Sequence, residues 1–396
     1  MSTQQKGVTM LKLPLYLDYQ ASTPVDPRVV DAMIPYLTEK FGNPHSASHK
    51  FGWEAEAAID LASNYIADFL GAKENEIVFT SGATESNNLI IKGVMETFST
   101  SKPDMVTLAS EHKAVLEPAK DATERTGGTL TIVPVQASGI VDLEALRAAI
   151  TDKVALVSVM TVNNEIGIIQ PIKEIAAIVH DAGALFHTDA AQAYGKIPLD
   201  MEAMGIDFMS FTGHKFYAPK GIGGAYIKSN KQRLVTRQIS GGSQQNYLRA
   251  GTMSPVLCVA LAKATEIVEQ EMSQEAGRLT QLMDELRGKL IDNIEGLKIN
   301  GDSKQSWCGN LNICLPGLKI EDLMSNLRDI AISSGSACSS ATKNPSHVLK
   351  AIGLSDDDAS STLRIGLGRF TSQEEVAYAA ERIIKVVQDL GGVKSC

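Results

Sequence analysis

The chain has 396 residues, 44% hydrophobic and 21% charged, with a formal charge of -9 at neutral pH. That is the usage of a globular protein with room for about two domains; no block of Lys or Arg offers a footprint for nucleic acid, and no apolar run is long enough to cross a bilayer. The opening MSTQQKGVTMLKLPLYLDYQ has no apolar segment of signal-peptide length, and Cys258, Cys308, Cys314, Cys338 and Cys396 contain no CxxC pair, so the expected setting is the reducing cytoplasm, with no disulfide framework, zinc site or membrane contact.

The first apolar run, LPLYL, is expected to fold back onto the C-terminal part. From Glu76 to Lys228, short β-rich runs (EIVFTSG, DMVTLAS, LTIVPV, VALVSVMTV, ALFHTDAA, DFMSFTG, GGAYIK) alternate with helical patterns, which predicts an α/β architecture around a mostly parallel sheet buried on both faces. In PIKEIAAIVHDAG, residues Ile172, Ile175, Ala176 and Val179 share a helical face, with Pro171 near the start and Gly183 at the end. After Ser254 a long charged helical stretch begins, and the expected domain boundary falls inside it. Residues 24–268 then form a large domain, and residues 1–23 with 269–396 a smaller α/β domain.

Ligands of an open parallel sheet sit beyond the carboxyl ends of its strands, so the residues after each run matter most. They are unusually polar: SGATESNN, EHK, NNE, DAAQ and GHK. SGATES places Gly82 and hydroxyl residues at a helix start, a ready anion site, although an ordinary Ser/Thr N-cap reads the same way. Lys215 in FTGHK is placed for Schiff-base chemistry, or is simply a surface lysine at a strand end. Asp189 in HTDAAQ needs a cationic partner if buried. Pyridoxal phosphate answers all three demands, with a phosphate, an aldehyde and a pyridinium nitrogen; His112 in SEHKAV offers a flat face for its ring and a proton acceptor.

Cys338 lies in ISSGSACSSAT, among small polar residues rather than the apolar wall a structural cysteine prefers, and reads as a reactive thiol on a loop. Cys258 and Cys314 sit in apolar contexts that read as core. His45, His49, His180, His187 and His347 lack the spacing of metal ligands.

Taken together, YLDYQASTPVDP, FGNPHSASH, FTSGATESNN, SEHKAV, VNNEIG, HTDAAQ, SFTGHK, RAGT, SSGSACSSAT and LRIGLGRF resemble the motifs of NifS/IscS-type cysteine desulfurases, over about Leu15 to Phe370. The resemblance implies the aspartate aminotransferase-like fold (fold type I), with a seven-stranded, mostly parallel sheet between helices and a smaller α/β domain. It implies that Lys215 carries pyridoxal phosphate, that Asp189 partners the pyridinium and that His112 stacks on the ring. Ala83, Thr84, Thr212 and His214 surround the phosphate, joined by Thr252 from the neighbouring subunit of a homodimer. Asn164 and Gln192 bond near the phenolic oxygen, and Arg364, with Asn164 beside it, holds the substrate carboxylate in the bidentate way a guanidinium allows.

The activity so implied is removal of sulfur from L-cysteine, giving L-alanine and a persulfide on Cys338. The sulfur passes to an acceptor protein, an iron-sulfur scaffold or the machinery of tRNA thiolation. No resident metal is expected, although the persulfide would meet a cluster on the scaffold. An aminotransferase has no use for the loop thiol; a selenocysteine lyase uses the same parts; a sulfur-relay protein without turnover does not need Lys215, Asp189 and His112 together. Two departures from the resemblance stand out. The chain stops at VVQDLGGVKSC, short of the tail that docks the scaffold in longer relatives, and MSTQQKGVT precedes the usual start, which makes Met10 the expected initiator.

Overall fold

The computed structural model describes residues 11–334 and 345–391. The expected initiator Met10 and the catalytic candidate Cys338 therefore lie outside the described residues, as does Cys396. The strands are β1 (Leu15–Tyr16), β2 (Ile77–Thr80), β3 (Asp104–Leu108), β4 (Leu130–Val133), β5 (Val154–Ser158), β6 (Leu185–Asp189), β7 (Phe208–Thr212), β8 (Gly223–Ile227), β9 (Lys298–Ile299), β10 (Asn310–Cys314), β11 (Ile330–Ala331) and β12 (Thr362–Gly366). The α-helices are α1 (Pro27–Thr38), α2 (Lys50–Phe69), α3 (Ala83–Thr97), α4 (Lys113–Thr126), α5 (Leu143–Ala149), α6 (Ile172–Asp181), α7 (Pro255–Asn293), α8 (Ile320–Asn326), α9 (His347–Ala351), α10 (Asp356–Ser360) and α11 (Gln373–Asp389).

Seven strands, one from each β-rich run, make the central sheet in the order β2-β8-β7-β6-β5-β3-β4. β8 is antiparallel to both of its neighbours and the remaining pairs are parallel. Because side chains alternate along a strand, each run feeds two cores: Val78, Met105, Leu156 and Phe208 enter one hydrophobic cluster, while Phe79, Val106, Val157 and Met209 enter the other. α3 and α4 cover the first cluster; α2 and α6 cover the second. The face of α6 is the one its spacing predicts, with Ile172, Ile175, Ala176 and Val179 buried, and Gly183 ends it at φ +72.

α7 is continuous for 39 residues and buries two separate stretches, Cys258 to Val268 and Leu279 to Leu290. It packs against α1 and α2 beside the large sheet and against α11 of the C-terminal elements. There, β12-β10-β9 form an antiparallel sheet, and the N-terminal run returns as expected: β1 lies parallel to β11, Leu15 opposite Ile330.

A largely buried ionic cluster ties these parts together. Arg369 bonds Asp26 before α1 and Glu275 on α7, and its guanidinium lies 4.1 Å from the centre of the Tyr217 ring. Arg28 completes the cluster on Asp26 and, with Arg369, holds that carboxyl far below its usual range against the cost of burial. Tyr217, two residues after Lys215, sits at φ 72, a strained value for a bulky residue, and this cluster fixes it there.

His187 spans the middle of the sheet, its ring nitrogens bonded to Ser158 on β5 at 2.8 Å and Ser210 on β7 at 3.0 Å. Burial pushes its pKa from 6.5 to about 3. Below about pH 6.5 the unfolded imidazole takes up a proton that the folded one refuses, so stability falls with pH from there down, by up to about 1.4 kcal/mol per unit from this group. His187→Asn is expected to flatten the slope of unfolding free energy against pH, measured by urea melts across this acid range.

Candidate active site

The carboxyl ends of β3, β5, β6 and β7, with the segment after β2, open on a cavity of about 430 Å³. Ala83, Thr84, His112, Asn164, Asp189, Gln192, Thr212, His214, Lys215 and Arg364 all line it. Thr252 does not; it lies exposed on the loop before α7.

At one wall, α3 begins at Gly82, which adopts φ 148 and ψ 178 and provides no side-chain cap. Free N–H groups of a helix start thus face the cavity, the usual arrangement for a phosphate. The φ of 148 favours glycine here, and a Cβ at Gly82 would crowd Thr212 Oγ1 at 3.1 Å. Glu85 in the same turn accepts from Ser81 N–H at 2.8 Å and from Arg249 Nε at 2.8 Å, which keeps its charge from opposing an anion.

Asp189 closes β6 in the cavity floor. It accepts from Asn87 Nδ2 on α3 and from Ala191 N–H, both at 2.8 Å, and these fix its carboxylate plane. His112 caps α4: its Nδ1 accepts from Ala114 N–H at 3.0 Å, which leaves the proton on Nε2. Burial, with the Lys215 charge adding to it, lowers its pKa despite Asp189, so the ring is neutral near pH 7. His214 is likewise held neutral, at about 4, by burial and by Lys215 and Lys220.

Lys215 follows β7 and donates from Nζ to the backbone carbonyls of Gln20 and Ala21. Arg364 on β12 is 2% exposed; it donates to Asn164 O at 2.8 Å and pairs with Asp18 at 2.7 Å, while among the described residues neither its Nε nor Asn164 Oδ1 has a partner. A buried guanidinium edge without an acceptor is costly, and a ligand carboxylate would satisfy it. The segment containing Cys338 leaves and rejoins the described structure at this wall: Ser333 exchanges backbone bonds with Arg364, and Ser346 Oγ donates to Glu165 at 2.6 Å.

Several contributors were not singled out in the sequence. Asp18 and Gln20 fall inside YLDYQAS and Asn87 inside TESNN, motifs that were marked without a role for these residues. An acid or amide inside a marked motif was the available signal.

A lysine amine, an aspartate, a neutral histidine and an uncapped helix start converging on one cavity define a site for pyridoxal phosphate, and the residues present fit that group. Residues 15–378 match the family Aminotransferase class-V. The cysteine desulfurase IscS of Rickettsia rickettsii is 47% identical over 96% of this chain and 92% of its own length. A solved NifS-like protein superimposes with a TM-score of 0.88 at 36% identity, covering 95% of this chain and all of that one; SspA in complex with cysteine gives 0.81 at 36%, over 90% of this chain and all of that one. The chain belongs to the class-V aminotransferase family, whose enzymes use pyridoxal phosphate.

Gly82→Ala places a Cβ in the cradle at a backbone conformation that costs about 1–3 kcal/mol for other residues. Pyridoxal phosphate affinity is expected to fall about tenfold or more, read by absorbance titration of the apoprotein.

Proposed function

We propose that the chain is a cysteine desulfurase acting on L-cysteine through pyridoxal phosphate and storing the sulfur on Cys338. The observation that carries this reading is the pairing, in one cavity, of the Lys215 amine with the buried guanidinium of Arg364, whose Nε has no acceptor among the described residues. An amine that condenses with an aldehyde and a fork that takes a carboxylate suit an α-amino acid.

Bound pyridoxal phosphate supplies an aldehyde and a ring that draws electrons from bonds at the substrate α-carbon. Lys215, Asp189 and His112 would hold it by the aldehyde, the ring nitrogen and the ring face, and Ala83, Thr84, Thr212 and His214 by the phosphate. Asn164 and Gln192 would supply polar groups near its phenolic oxygen. Arg364 orients the substrate carboxylate, and Lys215 Nζ removes and returns the proton at the α-carbon. His112 Nε2–H stands ready as a donor, its ring uncharged at neutral pH for the reason given above. The Cys338 thiolate forms an S–S bond to the substrate sulfur; the C–S electron pair stays on carbon, where protonation yields alanine, and the enzyme keeps a persulfide.

A homodimer is part of the proposal, with Thr252 reaching the phosphate of the neighbouring subunit. In support, Thr252 is exposed and outside its own cavity lining, and Phe41, Phe51, Trp53 and Leu61 are exposed apolar side chains on and near α2. We also read residues 24–268 as the cofactor-binding domain and the rest as the smaller one, an iron-sulfur scaffold as the sulfur acceptor, and the cytoplasm as the location, which suits the free thiols of Cys258, Cys308 and Cys314.

The purified protein is expected to be yellow and to release alanine from cysteine. Cys338→Ala should keep the colour and abolish alanine and sulfide release; retained turnover overturns the assignment. Replacing Phe51 and Trp53 together by Glu should give a monomer in size-exclusion light scattering that binds the cofactor more weakly than the parent.

A further inference from the structure

Lys196 lies one bond behind the cavity lining, on Gln192, and the reaction above gives it no task. Its Nζ donates to Gln192 Oε1 at 2.5 Å and lies 4.5 Å from the centre of the Trp307 ring. Gln192 in turn donates from Nε2 to Gln20 O at 2.8 Å, the same carbonyl that Lys215 Nζ uses. Gln20 Nε2 closes the set on Gly309 O at 2.8 Å, next to Trp307.

We infer that Lys196 is a positioning residue that fixes the amide of Gln192 with its N–H edge, not its carbonyl, toward the cofactor. Both ends of that amide meet partners of one kind. Gln20 O can only accept, and the Lys196 amine keeps an N–H for Oε1 whatever its charge, so reversing the amide would set its oxygen against the Gln20 carbonyl and lose that bond. Trp307 holds Lys196 in place, because a cation gains from an aromatic face and its stem packs along the ring.

Lys196 retains some exposed surface, but its amine end is enclosed between Gln192 and Trp307. Desolvation pulls its pKa well below the usual lysine value; Lys215 and Arg364 act in the same direction, and Glu275 and Cys308 oppose them. In either protonation state an N–H remains for Gln192 Oε1. The chemical result is a directed donor in the cavity, which favours an oxygen that has lost its proton over one that keeps it.

This inference rests on the cofactor reading above, and the two fail separately. Colour and alanine release by the parent protein test that reading; the pH midpoint of the cofactor's visible absorbance in the holoenzyme tests the role of Lys196. Lys196→Met removes the donor, so the protonated form of the cofactor is favoured and the midpoint moves to higher pH by about half a unit or more. Lys196→Arg, which keeps the donor, restores it. In a Gln192→Leu background Lys196→Met produces no additional shift, because the effect passes through the amide. A midpoint unchanged in Lys196→Met, or a shift of the same size with Gln192→Leu present, overturns the proposal, the latter marking a simple charge effect. If Lys196→Met does not fold, as judged by circular dichroism and thermal melting, Lys196→Ala carries the same readout.

Discussion

The structure around the cavity depends on a buried cation that its own chain only partly neutralises. Arg364 is almost wholly removed from water, and an unpaired guanidinium in that position costs several kcal/mol. Asp18, from the N-terminal segment, and Asn164 O, from the loop after β5, each take one Nη, and meeting those demands fixes where both segments run. Leu17 O accepts from Gly366 N–H at 2.7 Å on the same strand as Arg364, and β1 lies against β11 just upstream. An N-terminal run that might have been a frayed tail is thereby held as a wall of the site, and its carbonyls at Gln20 and Ala21 become the resting partners of Lys215.

Electrostatics in the cavity follow one direction. His112 and His214 are kept neutral by burial and by neighbouring lysines, and Lys215 and Arg364 bring positive charge. The acids nearby are either bonded by N–H donors, as Asp189 is, or have their carboxyls pushed upward by burial, as Glu111 and Glu165 do, Glu111 with one oxygen that has no partner among the described residues. A cavity balanced in this way attracts ligands carrying phosphate and carboxylate, and its histidines act through oriented N–H groups rather than charge.

The central sheet was legible because short, nearly continuous β-rich apolar runs, each ended by polar residues and separated by helical patterns, suit strands of a sheet buried on both faces. The strand-end rule then pointed to Asp189, Lys215, His112 and Asn164, since each ends its strand or comes a few residues after it. What stayed hidden is what acts at long range or through the backbone. Gln20 serves through its carbonyl, which any residue possesses, and Asn87 reaches Asp189 from a helix face about a hundred residues away. β1 and β11 are two residues each, too short for periodicity to mark. The left-handed Tyr217 is stabilised by Arg369 from far along the chain, and no local preference announces it. Lys196 was passed over for a related reason: AYGKIP carries no motif, and its meaning appears only when Trp307 is placed against it.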